Sequence, residues 1–270
     1  MTARRKKEWF DDDSFWRDMY PFMFPEKRWA DATDEVSKAL ELTGPRGRSV
    51  LDLCCGPGRC SIALALRGFT VTGVDRTKYL LDKARAKARA AKVKIEWVQQ
   101  DMRDFVRPDS FDLAISMFTS FGYFDEKQED IRVLENMFAS LRPGGTCLID
   151  VKGKELIAEI FQPATTDALP DGTRLVQRRE IFDDWTRLRN EWILIRKGRS
   201  KSFTFHHTIY SGQELRDRLE YVGFREVTLY GGLSGEEYGP DADRLIAVGR
   251  KPGASKRSRK GGAAEPQPQD

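Results

Sequence analysis

Apolar residues in this chain fall into short runs, most of them ending in an acidic residue or a glycine just before a segment of helical period. The first run, Val50-Leu51-Asp52-Leu53, leads through Cys54-Cys55-Gly56-Pro57-Gly58-Arg59 into a helical pattern from Ser61 to Arg67. Runs of this length bounded by turn residues predict strands. Val71 to Asp75, Lys94 to Asp101 and Ser110 to Phe118 read as a second, third and fourth, and Leu141-Arg142-Pro143-Gly144-Gly145 turns out of a helix into a fifth, Thr146 to Val151. Between the second and third, Leu80, Leu81, Ala84, Ala88 and Ala91 recur at helical spacing and predict a buried stripe.

After Val151 the period changes. Lys154 to Phe161 reads as a short helix and Pro163 to Gly172 as a loop. Arg174 to Phe182, Thr186 to Lys197 and Lys201 to Tyr210 then alternate with period two and are rich in β-branched and aromatic residues, which predicts three antiparallel strands. Ser211 is placed to cap a helix that starts at Gly212, and Phe224 to Tyr230 and Arg244 to Arg250 supply two last strands.

The first strand and its loop carry the candidate chemistry. Gly56 and Gly58 let the backbone approach a ligand at a helix N-terminus, the arrangement that holds nucleotide-like molecules. A dinucleotide loop wants G-x-G-x-x-G and an acidic residue roughly 20 positions on. Here Ser61 stands where the third glycine would be, while Asp75 supplies the acidic residue, so the loop leans away from a nicotinamide cofactor without excluding it.

Leu51-Asp52-Leu53-Cys54-Cys55-Gly56-Pro57-Gly58, Gly73-Val74-Asp75, Gln100-Asp101-Met102, Phe111-Asp112-Leu113 and Leu141-Arg142-Pro143-Gly144-Gly145 occur in that order. With these stations the chain, over about Val36 to Arg250, resembles the class I S-adenosylmethionine (SAM) dependent methyltransferases. The resemblance implies an α/β fold, a doubly wound Rossmann-like sheet of seven strands in the order 3-2-1-4-5-7-6 with the seventh antiparallel, and SAM as cofactor. It also implies roles: Asp52 and the backbone through Cys54, Cys55, Gly56 and Gly58 hold the methionine part; Asp75, with Arg76 beside it, holds the ribose hydroxyls; Asp101 accepts from the adenine amino group; Met102 packs on the ring; Ser116 and Met117 line the pocket below the sulfonium. The family usually carries glycine where Cys54 stands, so this turn must accept a β-carbon.

Composition limits the picture further. The chain has 270 residues, enough for one elaborated domain, with 40% hydrophobic and 33% charged residues and a net charge of +4. No apolar stretch approaches the roughly 20 residues needed to span a bilayer, and the basic start, Met1 to Lys7, runs into acidic residues rather than an apolar core, so no secretory signal is expected. Cys54, Cys55, Cys60 and Cys147 form no C-x-x-C pair, which favours a reducing cytoplasm and argues against zinc or any other metal. Lys78, Lys83, Arg85, Lys87, Arg89, Lys92 and Lys94 crowd one helix and its end; a solvated face is the simpler reading and a nucleic-acid surface the other. The tail from Lys251 to Asp270 lacks apolar periodicity and reads as a disordered basic extension.

Four regions follow: an aromatic-rich cap over 1–35, a SAM-binding core over 36–162 and 211–250, an antiparallel insert over 163–210, and the tail over 251–270. The cap carries Phe15, Trp16 and Tyr20, which are expected to pack on the sheet or fold over the cofactor. The insert resembles the sheet that roofs the active site in the small-molecule branch of the family, amino-sugar N-methyltransferases included. His206 and His207, the only histidines, alternate, so one alone can face the pocket; either, or Tyr123 after the fourth strand, is a candidate catalytic residue. No Asn/Asp-Pro-Pro-aromatic run follows the fourth strand and no proline precedes a cysteine, which argues against methylation of DNA bases. The expected activity is methyl transfer from SAM to oxygen or nitrogen of a small-molecule acceptor. An RNA methyltransferase using the basic helix and tail, a non-catalytic SAM-binding regulator and an NAD-dependent oxidoreductase are the alternatives.

Overall fold

The computed structural model describes residues 8–253. Met1 to Lys7 and nearly all of the expected basic tail lie outside the described residues. Lys251, the first residue of that tail, is tied to the core just past the last strand: its N–H donates to Gly145 O at 2.8 Å and its ammonium reaches Asp109 at 2.9 Å.

A 3-10 turn (Trp9–Asp11) and two helices, α1 (Asp13–Met23) and α2 (Glu26–Thr43), precede the first strand. Strands and helices then alternate as β1 (Ser49–Leu53), α3 (Arg59–Leu66), β2 (Thr70–Asp75), α4 (Lys78–Ala90), β3 (Glu96–Gln99), β4 (Phe111–Ser116), α5 (Lys127–Ser140) and β5 (Leu141–Val151). The insert follows as α6 (Lys154–Ile160), β6 (Ala164–Ala168), β7 (Arg174–Phe182), β8 (Arg187–Arg196) and β9 (Arg199–Thr208), and the chain closes with α7 (Gly212–Val222), β10 (Arg225–Tyr230) and β11 (Leu245–Arg250).

The main sheet has seven strands in the order β10-β11-β5-β4-β1-β2-β3, with β11 antiparallel to both neighbours. This is the doubly wound order that the motifs implied. Both faces are buried, as a mostly parallel sheet requires, and period-two alternation divides them. Val50, Leu113, Ile115, Leu148 and Ile246 pack under α2 and α3 with Val36, Ala39, Ala63 and Leu64. Leu51, Ala114, Cys147, Ile149 and Ala247 point the other way, into the core that α5 and α7 cover with Leu134, Met137, Leu215 and Leu219. The basic residues of α4 sit on its outer side, where Lys78 and Arg85 pair with Asp82 while Leu80, Leu81, Ala84 and Ala88 are buried, which is the solvated-face arrangement.

The insert is a separate antiparallel sheet of four strands in the order β6-β7-β8-β9. Its first strand occupies the stretch that reads as a loop in sequence. Ala164–Ala168 is mostly exposed and lacks a buried alternation, so only its pairing with Arg174–Arg178 of β7 makes it a strand. The N-terminal segment packs on this sheet: Phe15 meets Phe203 edge-on at 5.4 Å, Trp9 stacks on Phe205 at 4.7 Å, and Lys201 pairs with Asp18 at 2.9 Å. The aromatic density before β1 therefore serves to join the chain's start to the insert.

Trp97 of β3 sets a local constraint on the first loop. A β-carbon at Gly58 would lie 2.6 Å from its ring, and one at Gly73 likewise 2.6 Å, so the indole lies directly over both glycines. Gly58 also has φ +85°, a conformation that disfavours side chains. Gly58→Ala is expected to destabilise the fold by about 1–3 kcal/mol through overpacking, measured as a lower urea midpoint with an unchanged slope; a midpoint equal to wild type would show that the indole yields freely.

Candidate active site

The loop after β1 is wound from left-handed residues at alternate positions: Cys54 (φ +60°), Gly56 (φ +55°) and Gly58 (φ +85°). The cysteine where glycine is usual thus adopts the glycine conformation at a cost of about 1–2 kcal/mol. The loop is pinned by Cys55 N–H to Val74 O at 3.0 Å and by Gly58 N–H to Cys55 O at 3.0 Å. Burial, and then the Asp75 and Asp101 charges, push the Cys54 thiol up, so it is not a reactive thiolate.

Three carboxylates lie at or just beyond the carboxyl ends of β1, β2 and β3. Asp52 is buried and accepts from Ser61 Oγ at 2.5 Å; burial, partly offset by that bond, raises its carboxyl to about 7. Asp75 accepts Gly56 N–H on one oxygen at 2.9 Å and Thr77 N–H on the other at 2.8 Å. The Thr77 side chain adds a further hydrogen bond to this carboxylate, which as an ionised group has about four acceptor sites in all and so keeps capacity for a ligand hydroxyl. Asp101 takes the Arg103 backbone N–H at 2.9 Å and its side chain at 3.0 and 2.8 Å. Burial opposes ionisation there, but the Arg103 hydrogen bonds and charge hold its carboxyl below the usual range.

Arg103, to which the sequence reading gave no role, is the hub of this end. Its buried guanidinium also reaches Glu8 at 2.5 Å and Glu129 at 2.9 Å and lies over the Phe124 ring. Arg76 pairs with Asp11 and lies over Phe10. Both arginines thus tie the segment before α1 to the strand ends. Glu8 and Glu129 lie far from Arg103 in sequence, so no local pattern could have marked it.

A cavity of about 910 Å³ runs from these carboxylates to the insert. Asp52, Cys54, Cys55, Gly56, Asp75, Arg76, Asp101, Met102 and Met117 line it. Gly58 does not; it serves contact with Trp97. Ser116 is buried behind Met117, and its Oγ has no hydrogen-bond partner. Beyond Met117 the chain turns through Phe118 and Thr119, both at φ +59°, a strained pair held by Phe118 N–H to Asp150 Oδ2 at 2.9 Å and Thr119 N–H to Asp150 O at 2.8 Å.

The insert roofs the far end with one face, from which Gln177, Arg179, Leu188, Asn190, Trp192, Phe205 and His207 look inward. The two histidines part as strand alternation requires. His207 faces the cavity, edge-on to Tyr123 with 6.2 Å between ring centres, and its Nδ1 has no partner. Burial, then the His206 and Arg187 charges, lower it to about 4, so it is neutral at neutral pH. His206 lies outside the main cavity, beside a smaller hollow, with Nε2 2.5 Å from Asp125. Tyr123 lines the cavity, and burial raises its phenol.

A mostly parallel seven-stranded sheet with a glycine-bearing loop after β1 and carboxylates at three adjacent strand ends defines a Rossmann-like methyltransferase. Residues 50–145 match the methyltransferase domain family. The cypemycin N-terminal methyltransferase of a Streptomyces species is 36% identical over 208 residues, which covers 75% of this chain and 82% of that protein. This chain belongs to the SAM-dependent methyltransferases. Two further relatives, from Bacillus subtilis (strain 168) and a Geobacillus strain, are 36% and 33% identical, and the chain spans 58% and 62% of their lengths. Among solved structures, a SAM-dependent methyltransferase from Clostridium acetobutylicum superposes with a TM-score of 0.73 at 15% identity, covering 89% of this chain and 97% of that one. The sugar N-methyltransferase KedS8 from a Streptoalloteichus species does so at 0.66 and 20% identity, covering 93% and 99%.

The residues present fit SAM, the cofactor of the family. The cavity offers carboxylate acceptors for hydroxyl and ammonium groups, apolar Met102 and Leu80 for a ring, and the loop of left-handed residues that lets the ligand lie against backbone. Replacing Asp75 by alanine would remove a charged acceptor and free the Gly56 N–H, so S-adenosylhomocysteine affinity is expected to fall roughly 10- to 100-fold. Calorimetric titration checks this, and unchanged affinity would remove Asp75 from the cofactor site.

Proposed function

We propose that this chain methylates an amine nitrogen of a small acceptor, or of a chain terminus, lying between Met117 and the inserted sheet. The observation that carries the reading is that His207 and Tyr123, the ionisable groups facing this space beside Met117, are not poised to take a proton near neutral pH. Methylating a hydroxyl calls for a base near neutrality to take its proton. His207, the imidazole that faces this space, is held near 4, and the Tyr123 phenol is pushed up. An amine brings its own lone pair and needs mainly to be held in line. The relative that methylates an N-terminus supports the same acceptor class.

When bound, SAM would supply an electrophilic methyl on its sulfonium, the carbon–sulfur bond yielding its electrons to sulfur as the acceptor's lone pair bonds the carbon, and the methylated amine would carry its proton out to solvent on release. Asp52, Asp75 and Asp101 bind and orient the cofactor. Met117 and the turn at Phe118–Thr119 shape the floor beneath the transferred methyl. Phe205, Trp192 and the cap residues Phe15 and Trp16 exclude water from above, so the in-line pair stays unsolvated. His207 and Tyr123 orient the acceptor by hydrogen bonding without taking its proton. His206, turned toward Asp125, serves the insert's attachment.

Incubation with methyl-labelled SAM and matched amines and alcohols tests the reading; label appearing on oxygen alone would overturn it. His207→Asn is expected to lower kcat less than about tenfold, against the 10²- to 10⁴-fold loss expected for a general base. The same variant carries a stability signature. With its pKa depressed from 6.5 to about 4 in the folded state, His207 binds its proton first in the unfolded chain. Its contribution is therefore intact above pH 6.5 and is lost as pH falls toward 4. The stability difference between His207→Asn and wild type should shift in the variant's favour across that window, read by urea denaturation at each pH; a difference independent of pH would place a normal imidazole at this position.

A further inference from the structure

The acceptor end of the cavity carries an excess of positive charge. Three cations reach it from three elements: Arg28 from the first turn of α2, Lys152 from just beyond β5, and Arg179 from β7. Arg179 is half-buried and held by neutral groups, donating to Thr165 Oγ1 at 3.0 Å and Gln177 Oε1 at 2.7 Å. Neither Arg28 nor Lys152 forms a side-chain ion pair among the described residues. The acids nearby are committed elsewhere: Glu35 pairs with Arg59 at 3.1 Å, Asp31 with Lys27 at 3.1 Å, and Asp150 with Arg244. Asp167, which also lines the cavity near Arg179, accepts from Gln177 Nε2 at 2.7 Å.

The cations are close enough to feel one another. Burial, and then the fields of Arg244, Arg179 and Arg28, pull the Lys152 ammonium down; burial, Arg59 and Arg244 do the same to Arg28, against the opposing fields of Glu35 and Asp31. Arg28 and Lys152 are exposed and Arg179 is half-buried, so all three charges are open to a ligand that enters the cavity. A second observation points to a ligand. Asn190 lies directly across the sheet from Arg179, is 4% exposed and lines the cavity, and its Nδ2 donor has no partner. Three cations and an unused N–H donor thus converge on one space.

We propose that Arg28, Lys152, Arg179 and Asn190 form an anion subsite that holds a carboxylate or phosphate of the methyl acceptor. The proposal rests on the methyl-transfer reading above. The α-carboxylate of SAM is the other source of such an anion, and the topology favours the acceptor. Neighbouring strands lie roughly 4.8 Å apart, which puts the end of β5 about 10 Å from that of β1 and about 14 Å from that of β2, the strand of Asp75. Lys152 therefore stands on the side of the cavity away from Asp75, and Arg179 reaches the space from the insert, beside Asn190. The same positive field favours the uncharged form of an incoming amine, which is the nucleophilic form.

The test is titration of the full chain, loaded with S-adenosylhomocysteine, with inorganic pyrophosphate and with succinate, on wild type, Lys152→Gln, Arg179→Gln and Asn190→Leu. At least one anion should bind wild type, and Lys152→Gln and Arg179→Gln should each weaken it roughly tenfold or more, as expected for a hydrogen bond to a charged group. Both should leave S-adenosylhomocysteine affinity within about twofold, which also reports that the variants are folded. No anion binding to the loaded wild type overturns the subsite and leaves the methyltransferase reading intact. Failure of wild type to bind S-adenosylhomocysteine sinks that reading instead. If the variants lose S-adenosylhomocysteine while keeping 5′-methylthioadenosine, which lacks the carboxylate, the cations hold the cofactor and the proposal is overturned.

Discussion

The reversal of strand order at β1 is the constraint on which the rest of the molecule depends. β1 pairs in parallel with β2 on one side and β4 on the other, so the connections leaving these strands diverge to opposite faces of the sheet. A crevice opens between them that no backbone can fill, which is why ligands of such sheets collect at the carboxyl ends. Asp52, Asp75 and Ser116 stand at the ends of β1, β2 and β4, and Asp101 follows β3 at once. The loop that crosses the crevice stays in shape because Asp75 accepts Gly56 N–H from across it. The strut is thus the same carboxylate that we propose binds the cofactor.

The cavity is electrically divided along the sheet. Its β1–β3 side is lined by carboxylates, Asp101 among them bound to an arginine of the wall, while its β5 and insert side sets Lys152 and Arg179 against a single carboxylate, Asp167. Buried Asp52 rises toward neutrality where the ammonium and sulfonium of a ligand would restore its charge, and Lys152 is pulled down where an anion would restore its own. The strain at Cys54, Phe118 and Thr119 lies along the cavity between the two sides.

What the sequence makes legible is whatever is set locally. The ends of β1, β2 and β4, the glycine loop and the Ser211 cap are each written in a few adjacent residues, and the alternation of β9 correctly divides His206 from His207. The conformational demand at Cys54 shows only as a departure from pattern, and its φ is the physical content of that departure. Contacts between distant segments are silent. Arg103 is unremarkable beside Asp101 until Glu8 and Glu129 are brought to it, β6 exists only through β7, and Lys152 looks like any strand-end lysine until Arg28 and Arg179 face it.

The pairing of the chain's start with the insert has a consequence for its synthesis. Lys201 meets Asp18, and Phe203 and Phe205 meet Phe15. At a ribosome adding about 5–20 residues per second, the aromatic segment from Trp9 to Phe24 waits roughly 10–40 s for its partners to emerge. The strand–helix units from β1 to β5 can assemble in that interval, since parallel neighbours follow closely in sequence, but the space beneath the insert cannot. During that time Trp9, Phe15 and Trp16 form an apolar surface of the nascent chain, the kind of segment that chaperones hold. The methyl-transfer chamber is thus completed late in translation, when the insert arrives to cover residues made at its beginning.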